Sequence, residues 1–308
     1  MKSLIIGAAG FVGEYLIKEL VSFNDDVYAT KLANENIRTL ENIKILDLDI
    51  LDEDNIKKVI EEVRPDCIYH LAAQSSVALS WKKPKLTAQI NIIGSINLLE
   101  AVRLYSPNSK ILLVGSSEEY GKIDYSVQIS ENIKSNPQNI YAITKMTVEQ
   151  IGKIYANAYN LNIFMTRSFN HIGPHQSRQF VVSDFCNQVV DIEKGLQDPI
   201  IRVGNLKSKR DFTDVRDIVK AYRIIIEKGQ IGEVYNVGSG ESISIEEILN
   251  IILKNSNKTI KVEIDKTRFR PIDVEKIEAN IDKIKNLGWN KTYNLEETIK
   301  DILNSLRK

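Results

Sequence analysis

The sequence predicts an α/β protein built on a doubly wound parallel sheet, with a smaller mixed α/β part. Three observations carry that prediction. Short apolar runs recur through the first half, each ending in small or polar residues, with helical patterns between them. The first run, Leu4–Ile6, passes directly into Gly7-Ala8-Ala9-Gly10-Phe11-Val12-Gly13 and an amphipathic segment. The length, 308 residues, is enough to bury a substantial core in one large domain or two smaller ones.

Leu4–Ile6 reads as a buried strand and Phe11–Val21 as the helix that follows. Glycines three apart at such a turn let the backbone approach a pyrophosphate, which rests on free N–H groups and the positive end of the helix. The spacing is G-x-x-G-x-x-G rather than the commoner G-x-G-x-x-G, and a tight turn alone would use the same residues. Further strands are expected at Val27–Thr30, Ile43–Leu46, Cys67–His70, Ile111–Val114 and Ile163–Arg167. Helices are expected between them, as over Asp54–Glu62 and Ala88–Leu104, where Ile92, Ile96, Leu99 and Val102 recur at helical spacing.

After Arg167 the rhythm changes. Asn170–Gln179 is polar, carries His171, Gly173, Pro174 and His175, and reads as a loop. Helical and short extended pieces lead to Arg210–Asp214. Val234–Val237 reads as a strand, Gly238–Glu241 as a turn, and a helix starts near Ser244. Arg268–Asp273 and a terminal helix close the chain. The expected division is a dinucleotide-binding domain over 1–167 with a returning segment around 211–240, and a substrate domain over 168–210 and 241–308.

Composition narrows the function. Lys plus Arg and Asp plus Glu are both 41, so zero net charge gives no electrostatic ground for nucleic acid or an anionic membrane as partner. Cys67 and Cys186 are the only cysteines, which argues against a disulfide framework or a metal site. Met1–Ile6 superficially looks like the start of a leader, but Gly7, Gly10 and Glu14 interrupt it too early. No apolar run approaches a membrane span, and a cytoplasmic protein is expected.

Two further motifs carry chemistry. In Tyr141-Ala142-Ile143-Thr144-Lys145 the first and last residues share one helix face. An ammonium beside a phenol stabilises phenolate, suits the phenol to exchange a proton with a carbonyl or hydroxyl, and can bond a cofactor ribose. Alone, such a pair is common on surface helices. Gly115-Ser116-Ser117-Glu118-Glu119-Tyr120-Gly121 directly follows a strand, and in a doubly wound sheet ligands sit at the carboxyl ends of strands. Alone, it is a serine-rich turn. All three motifs in this order favour a site over chance.

With these motifs the chain resembles, over essentially its full length, the extended short-chain dehydrogenases/reductases that act on nucleotide sugars, whose core is Rossmann-like. His70-Leu71-Ala72-Ala73, the segment Asn91–Ala101, and Asp211-Phe212 with Asp214-Val215 and Asp217 add to the match. Ser116–Gly121, Phe169–Pro174, Val203–Leu206 and Arg210–Val219 look most like the GDP-4-keto-6-deoxy-D-mannose reductases of that family. The resemblance implies that Gly7, Gly10, Phe11, Val12 and Gly13 hold the dinucleotide pyrophosphate, and that Asp49 and Ile50 contact adenine. It places Leu71, Ala72 and Ala73 beside the nicotinamide and makes Tyr141 and Lys145 the catalytic pair. Ser116 would bond the sugar at C4, while Asn170, Arg210, Arg270 and Asp273 would contact the substrate nucleotide. A guanidinium suits a diphosphate because its donors fork onto phosphate oxygens. The resemblance also implies a homodimer through a four-helix bundle, from Ala88–Leu104 and Tyr141–Ala158. Ile143, Thr147, Ile151, Ile154 and Ala158 form a stripe that faces either a partner or the protein's own sheet.

An NAD site usually places a carboxylate after the second strand. Here Thr30 and Lys31 stand there, and Lys31, with Thr30 or Arg38, can neutralise a 2′-phosphate. NADP(H) is favoured, with NAD(H) usable. The implied reaction is reduction of the C4 keto group of a GDP-linked 4-keto-6-deoxy-hexose, giving GDP-D-rhamnose or its C4 epimer. Glu118 complicates this, since the family's 4,6-dehydratases have Thr and Glu at the positions of Ser116 and Glu118. Ser rather than Thr at 116, and His-Ile-Gly-Pro after Asn170 where GDP-mannose dehydratases have His-Glu-Ser-Pro, argue for the reductase. The lack of an identifiable arginine cluster for the 2′-phosphate, like theirs, adds a little to this. Dehydratase and 4-epimerase remain the enzymatic alternatives, and a non-catalytic dinucleotide-binding protein the most remote.

Overall fold

Leu4, Ile5 and Ile6 have no exposed surface, and their side chains alternate across the first strand, β1 (Lys2–Ile6). The structure, a computed structural model, describes residues 1–39, 41–123, 127–268 and 275–308. Gly10 starts helix α1 (Phe11–Ser22), which leads to β2 (Asp26–Lys31) and β3 (Lys44–Asp47). Asp52 caps α2 (Glu53–Val63) by accepting from Asn55 N at 3.0 Å, and Arg64 ends it in the left-handed conformation. Next come β4 (Cys67–His70), α3 (Val77–Lys82) and α4 (Pro84–Ala88). A π-helical turn, Gln89–Ile93, then joins α5 (Gly94–Tyr105). The single helix expected over Ala88–Leu104 is therefore interrupted. The turn widens around Asn91, whose buried side chain bonds Gln74 and Thr144.

β5 (Lys110–Ser116), α6 (Ile140–Tyr159) and β6 (Asn162–Ser168) complete the first half. Within the segment expected to be a loop lies a short strand, β7 (Asn170–Ile172). It pairs with a distant partner, so no local periodicity announces it. Then follow α7 (Val181–Glu193), β8 (Ile200–Val203), β9 (Lys209–Asp214), α8 (Val215–Lys228) and β10 (Val234–Val237). The last elements are β11 (Ser242–Ser244), α9 (Ile245–Lys254), β12 (Lys261–Ile264), α10 (Asp282–Lys285) and α11 (Leu295–Arg307).

Seven strands form one sheet in the order β10-β6-β5-β4-β1-β2-β3, all parallel. The chain leaves β1 in one direction for β2 and β3, then crosses back to β4, creating the switch point where ligands sit. On one face Leu16, Ile17 and Leu20 of α1 and Ile218, Tyr222 and Ile225 of α8 cover Ile5 and Tyr69. On the other, Ile56 and Ile60 of α2, Leu98 and Val102 of α5, and Val148 of α6 cover Leu4, Ile6 and Ile111. Each fully buried Leu or Ile contributes about 1.5–3 kcal/mol of apolar transfer. Two smaller sheets, β11-β9-β7 and β12-β8, lie outside the large one. A third core, with Phe185, Val189, Ile248 and Ile299, joins α7, α9 and α11. Among the described residues no helix is long and apolar enough to cross a membrane.

Candidate active site

The glycine turn is built at the carboxyl end of β1. Gly7 adopts φ +83°, and a Cβ there would meet the Ala72 backbone at 2.7 Å. Ala72 is brought there because Leu71 N and Ala72 N both donate to Ile6 O, at 2.9 and 2.8 Å. A Cβ on Gly13 would lie 2.0 Å from Ala8 O, so this glycine lets α1 pack on the turn. Gly10 meets only Gly7 O, at 3.5 Å, and caps α1 without a side-chain acceptor. The first N–H groups of the helix thus have no side chain on them, which suits an anion. Phe11 opens the helix and stacks on His171 with ring centroids 6.0 Å apart, and half-buried Val12 follows.

A cavity of about 390 Å³ opens beyond the ends of β2 and β3, lined by Leu32, Ala33, Asn34, Asp47, Leu48 and Asp49 with Asn55. Asp49 spends one carboxylate oxygen on Leu51 N at 2.9 Å, while Ile50 is buried beside Gly94. Leu71, Ala72 and Ala73 are half-buried beyond β4. Lys31 stands opposite Asp47 in the β2–β3 register, and the two pair at 2.7 Å. The sequence shows no acid after β2, but the fold supplies one from β3.

Ser116 ends β5 and begins a one-turn 3₁₀ helix, Ser117–Glu119. Its hydroxyl accepts from Glu118 N at 3.2 Å and its own N–H donates to Glu119 Oε1 at 2.8 Å. Asn139 caps α6 through Ala142 N at 2.8 Å and donates to Glu118 Oε2 at 2.9 Å. This arrangement brings Tyr141, on the first turn of α6, to Ser116. Burial drives the Tyr141 phenol above its usual range, against a lowering hydrogen bond with Ser116. Lys145 donates to Val114 O at 2.8 Å, and burial brings its ammonium down to about 8. The structure thus gathers Ser116, Glu118, Tyr141 and Lys145 at the end of β5.

Asn170 on β7 and Arg210 on β9 lie in the three-stranded sheet, where Asn170 pairs with Phe212. Arg210 donates to Lys209 O at 2.9 Å. Arg270 and Asp273 lie outside the described residues. Sequence reading assigned no role to three buried groups. Asn91 bonds Thr144 at 2.9 Å behind Tyr141. Burial and Lys145 bring His70 down to about 3, so it is a neutral imidazole, 2.9 Å from Ser95 Oγ. Glu119 is buried, and burial beside Glu149 raises its carboxyl to about 8. For Glu119 the only sequence signal is a second acid beside Glu118.

A seven-stranded parallel sheet with a glycine turn at its first strand, and a Tyr–Lys pair closing on a serine at its fifth, defines the class: an extended short-chain dehydrogenase/reductase. Comparison with known proteins narrows it. The chain belongs to the GDP-mannose 4,6 dehydratase family, whose model matches residues 4–302. It is 27% identical over 301 residues to the GDP-6-deoxy-D-mannose reductase of Pseudomonas aeruginosa, covering 97% of this chain and 95% of that protein. It is 30% identical over 319 residues to GDP-mannose 4,6 dehydratase 2 of Arabidopsis thaliana, covering 97% and 84%. The solved structure of RMD from Pseudomonas aeruginosa complexed with NADPH superposes with a TM-score of 0.87 at 26% identity, over 99% of this chain and 98% of that one.

Proposed function

We propose that this protein reduces the C4 keto group of a GDP-linked 4-keto-6-deoxy-hexose, giving GDP-D-rhamnose or its C4 epimer. The observation that carries the reading is the buried Tyr141 phenol, held protonated by its surroundings and in contact with Ser116 at the carboxyl end of β5. The similarity to a reductase over nearly the whole chain supports the same choice.

The residues present fit a nicotinamide dinucleotide: Gly10 is open, α1 is uncapped by side chains, and a cavity lies past β2 and β3. Gly7, Gly10 and Gly13, with Phe11 and Val12, would hold its pyrophosphate, Asp49 and Ile50 its adenine, and Leu71–Ala73 its nicotinamide side. When bound, the cofactor supplies the hydride. Tyr141 gives its proton to the C4 oxygen as negative charge develops there, and Ser116 donates a hydrogen bond to the same oxygen. Lys145, one helical turn away, donates to Val114 O and does not bring the phenol down as the sequence leads one to expect, so its part in this reading is to bond the cofactor ribose. Asn170, Arg210, Arg270 and Asp273 bind the substrate nucleotide. In this reading residues 1–167 with the returning segment around 211–240 serve the cofactor, and the remainder serves the sugar nucleotide. Lys31 favours NADP(H), with NAD(H) usable. The assembly is a homodimer through α5 and α6.

One observation favours a second reading. Glu118 is oriented by Asn139 at 2.9 Å beside Tyr141, where a base could remove a proton for a 4,6-dehydration. The test of the first is Tyr141→Phe. The variant should bind NADPH with unchanged affinity and lose turnover by at least about a hundredfold, the range of a lost general acid. Turnover close to that of the wild type would remove Tyr141 from the chemistry.

A further inference from the structure

Beneath the reacting pair lies a buried charge cluster that the reaction just described does not use. Glu119, Glu149 and Arg167 are 0%, 3% and 4% exposed. Arg167 forks onto Glu149, with Nε 2.7 Å from Oε2 and Nη2 2.8 Å from Oε1, and Lys153 reaches the same carboxylate at 2.7 Å. Glu149 is thereby a fully paired anion, held below the usual carboxylate range by Arg167 and Lys153 against the cost of burial. Glu119 is the extra acid. Its Oε1 accepts from Ser116 N at 2.8 Å, its Oε2 has no hydrogen-bond acceptor role filled, and Arg167 Nε stands 3.7 Å away, already committed to Glu149. The carboxyl reaches this place only because residue 115 is glycine: a Cβ there would lie 2.5 Å from Glu119 Oε1 and 2.2 Å from Thr166 O.

A buried acceptor with no donor is costly, whereas a carboxylic acid O–H can donate to a neighbouring carboxylate. The groups around Glu119 leave that as the satisfied state. Arg167 comes from β6, and Tyr141, Lys145, Glu149 and Lys153 come from α6. Glu118 and Tyr120 are its own chain neighbours, and Glu131 approaches Arg167 through its carbonyl. Arg167 and Lys153 are both committed to Glu149, which leaves Glu119 Oε2 with no donor and Arg167 Nε 3.7 Å away, and a proton on Glu119 resolves that deficit.

We infer that Glu119 is a positioning residue: a protonated carboxyl that grips the Ser116 N–H with one oxygen and shares its proton with Glu149 through the other. It holds Ser116 at the end of β5 so that the serine hydroxyl meets Tyr141. It acts through Ser116 and does not touch the reacting atoms. This rests on the reading of Ser116 and Tyr141 as the reacting pair.

The test compares Glu119→Gln and Glu119→Leu with the wild type. An acid whose proton is retained in the folded state, with its value raised from 4.5 to about 8, weakens the fold progressively as pH rises through that window; the cost is constant above it. Glutamine keeps the acceptor for Ser116 and a donor for Glu149 but does not titrate. The melting-temperature advantage of Glu119→Gln over the wild type should therefore grow between about pH 5 and about pH 8, then level off. In turnover of a GDP-4-keto-6-deoxy sugar with NADPH, Glu119→Leu should lose about tenfold in kcat with KM little changed, because a buried N–H is left unmet, and Glu119→Gln should recover most of that loss. Parallel melting profiles for the wild type and Glu119→Gln would overturn the proposal, as would a Glu119→Gln kcat as low as that of Glu119→Leu. If the wild type shows no reductase activity, the function proposed above fails, and the melting profiles still decide whether Glu119 holds the proton.

Discussion

Lys31 and Asp47 face each other across neighbouring parallel strands, and in the reading proposed above the choice of dinucleotide turns on how that pair is broken. A 2′-phosphate must draw the ammonium away from Asp47, while a free ribose hydroxyl can be accepted by Asp47 itself. Asp47 is largely exposed, so the ion pair is worth little and the competition is an even one. Asp47→Asn frees the ammonium and should shift the ratio of kcat/KM for NADPH over NADH upward by about tenfold; Lys31→Ala should shift it the other way. An unchanged ratio in both variants would show that neither residue meets the ribose. The same pair shows where residue-level reading stops. Lys31 was legible from its place after the second apolar run, but its partner arrives through register, which no local pattern specifies. Ser116, Glu118, Tyr141 and Lys145 were legible because each sits at a strand end or on one helix face, positions that periodicity defines. Glu119 was not, because its meaning comes from Arg167 and Glu149, which the fold brings from other elements.

At the scale of elements, α6 is the most heavily used helix. One face, with Ala142, Lys145, Val148, Glu149, Gly152 and Ala156, is buried against the sheet and the neighbouring helices. The stripe whose partner the sequence left open divides: Ile151 packs on the protein's own core, while Ile143 and Ile154 are 43% and 59% exposed. Leu104 of α5 is also exposed. Burying this apolar surface is what a bundle of two helices from each subunit would achieve. Ile154→Asp should therefore shift the sedimentation of the protein from dimer to monomer at micromolar concentration, with the melting transition of the monomer retained. A wild-type protein that already sediments as a monomer would contradict the dimer. Most strands and helices of the first half fall within a residue or two of their expected places, since a buried parallel sheet writes itself as short apolar runs. The π-helical turn and β7 were illegible: the first depends on the buried bonds of Asn91, the second on pairing with Phe212–Asp214, far along the chain.

For the whole molecule, the sheet order places the glycine turn of β1, the Leu71–Ala73 turn of β4 and the serine end of β5 on three adjacent strands. In the proposed reading a dinucleotide and a sugar carbonyl would meet at that shared edge, the place that an alternating strand–helix pattern and three short motifs point to. What the pattern does not specify is the direction of the chemistry, since in the reading proposed above Tyr141 and Lys145 would serve reduction, whereas Glu118, held by Asn139 at 2.9 Å, would serve elimination. The decisive measurement is to supply the protein with GDP-4-keto-6-deoxymannose and NADPH, and separately with GDP-mannose, following absorbance and resolving products by NMR. The reductase account predicts one NADPH oxidised per 4-hydroxy-6-deoxy sugar formed and no change in GDP-mannose. Dehydration of GDP-mannose, with neither NADPH nor NADH consumed in the presence of the keto sugar, would contradict it.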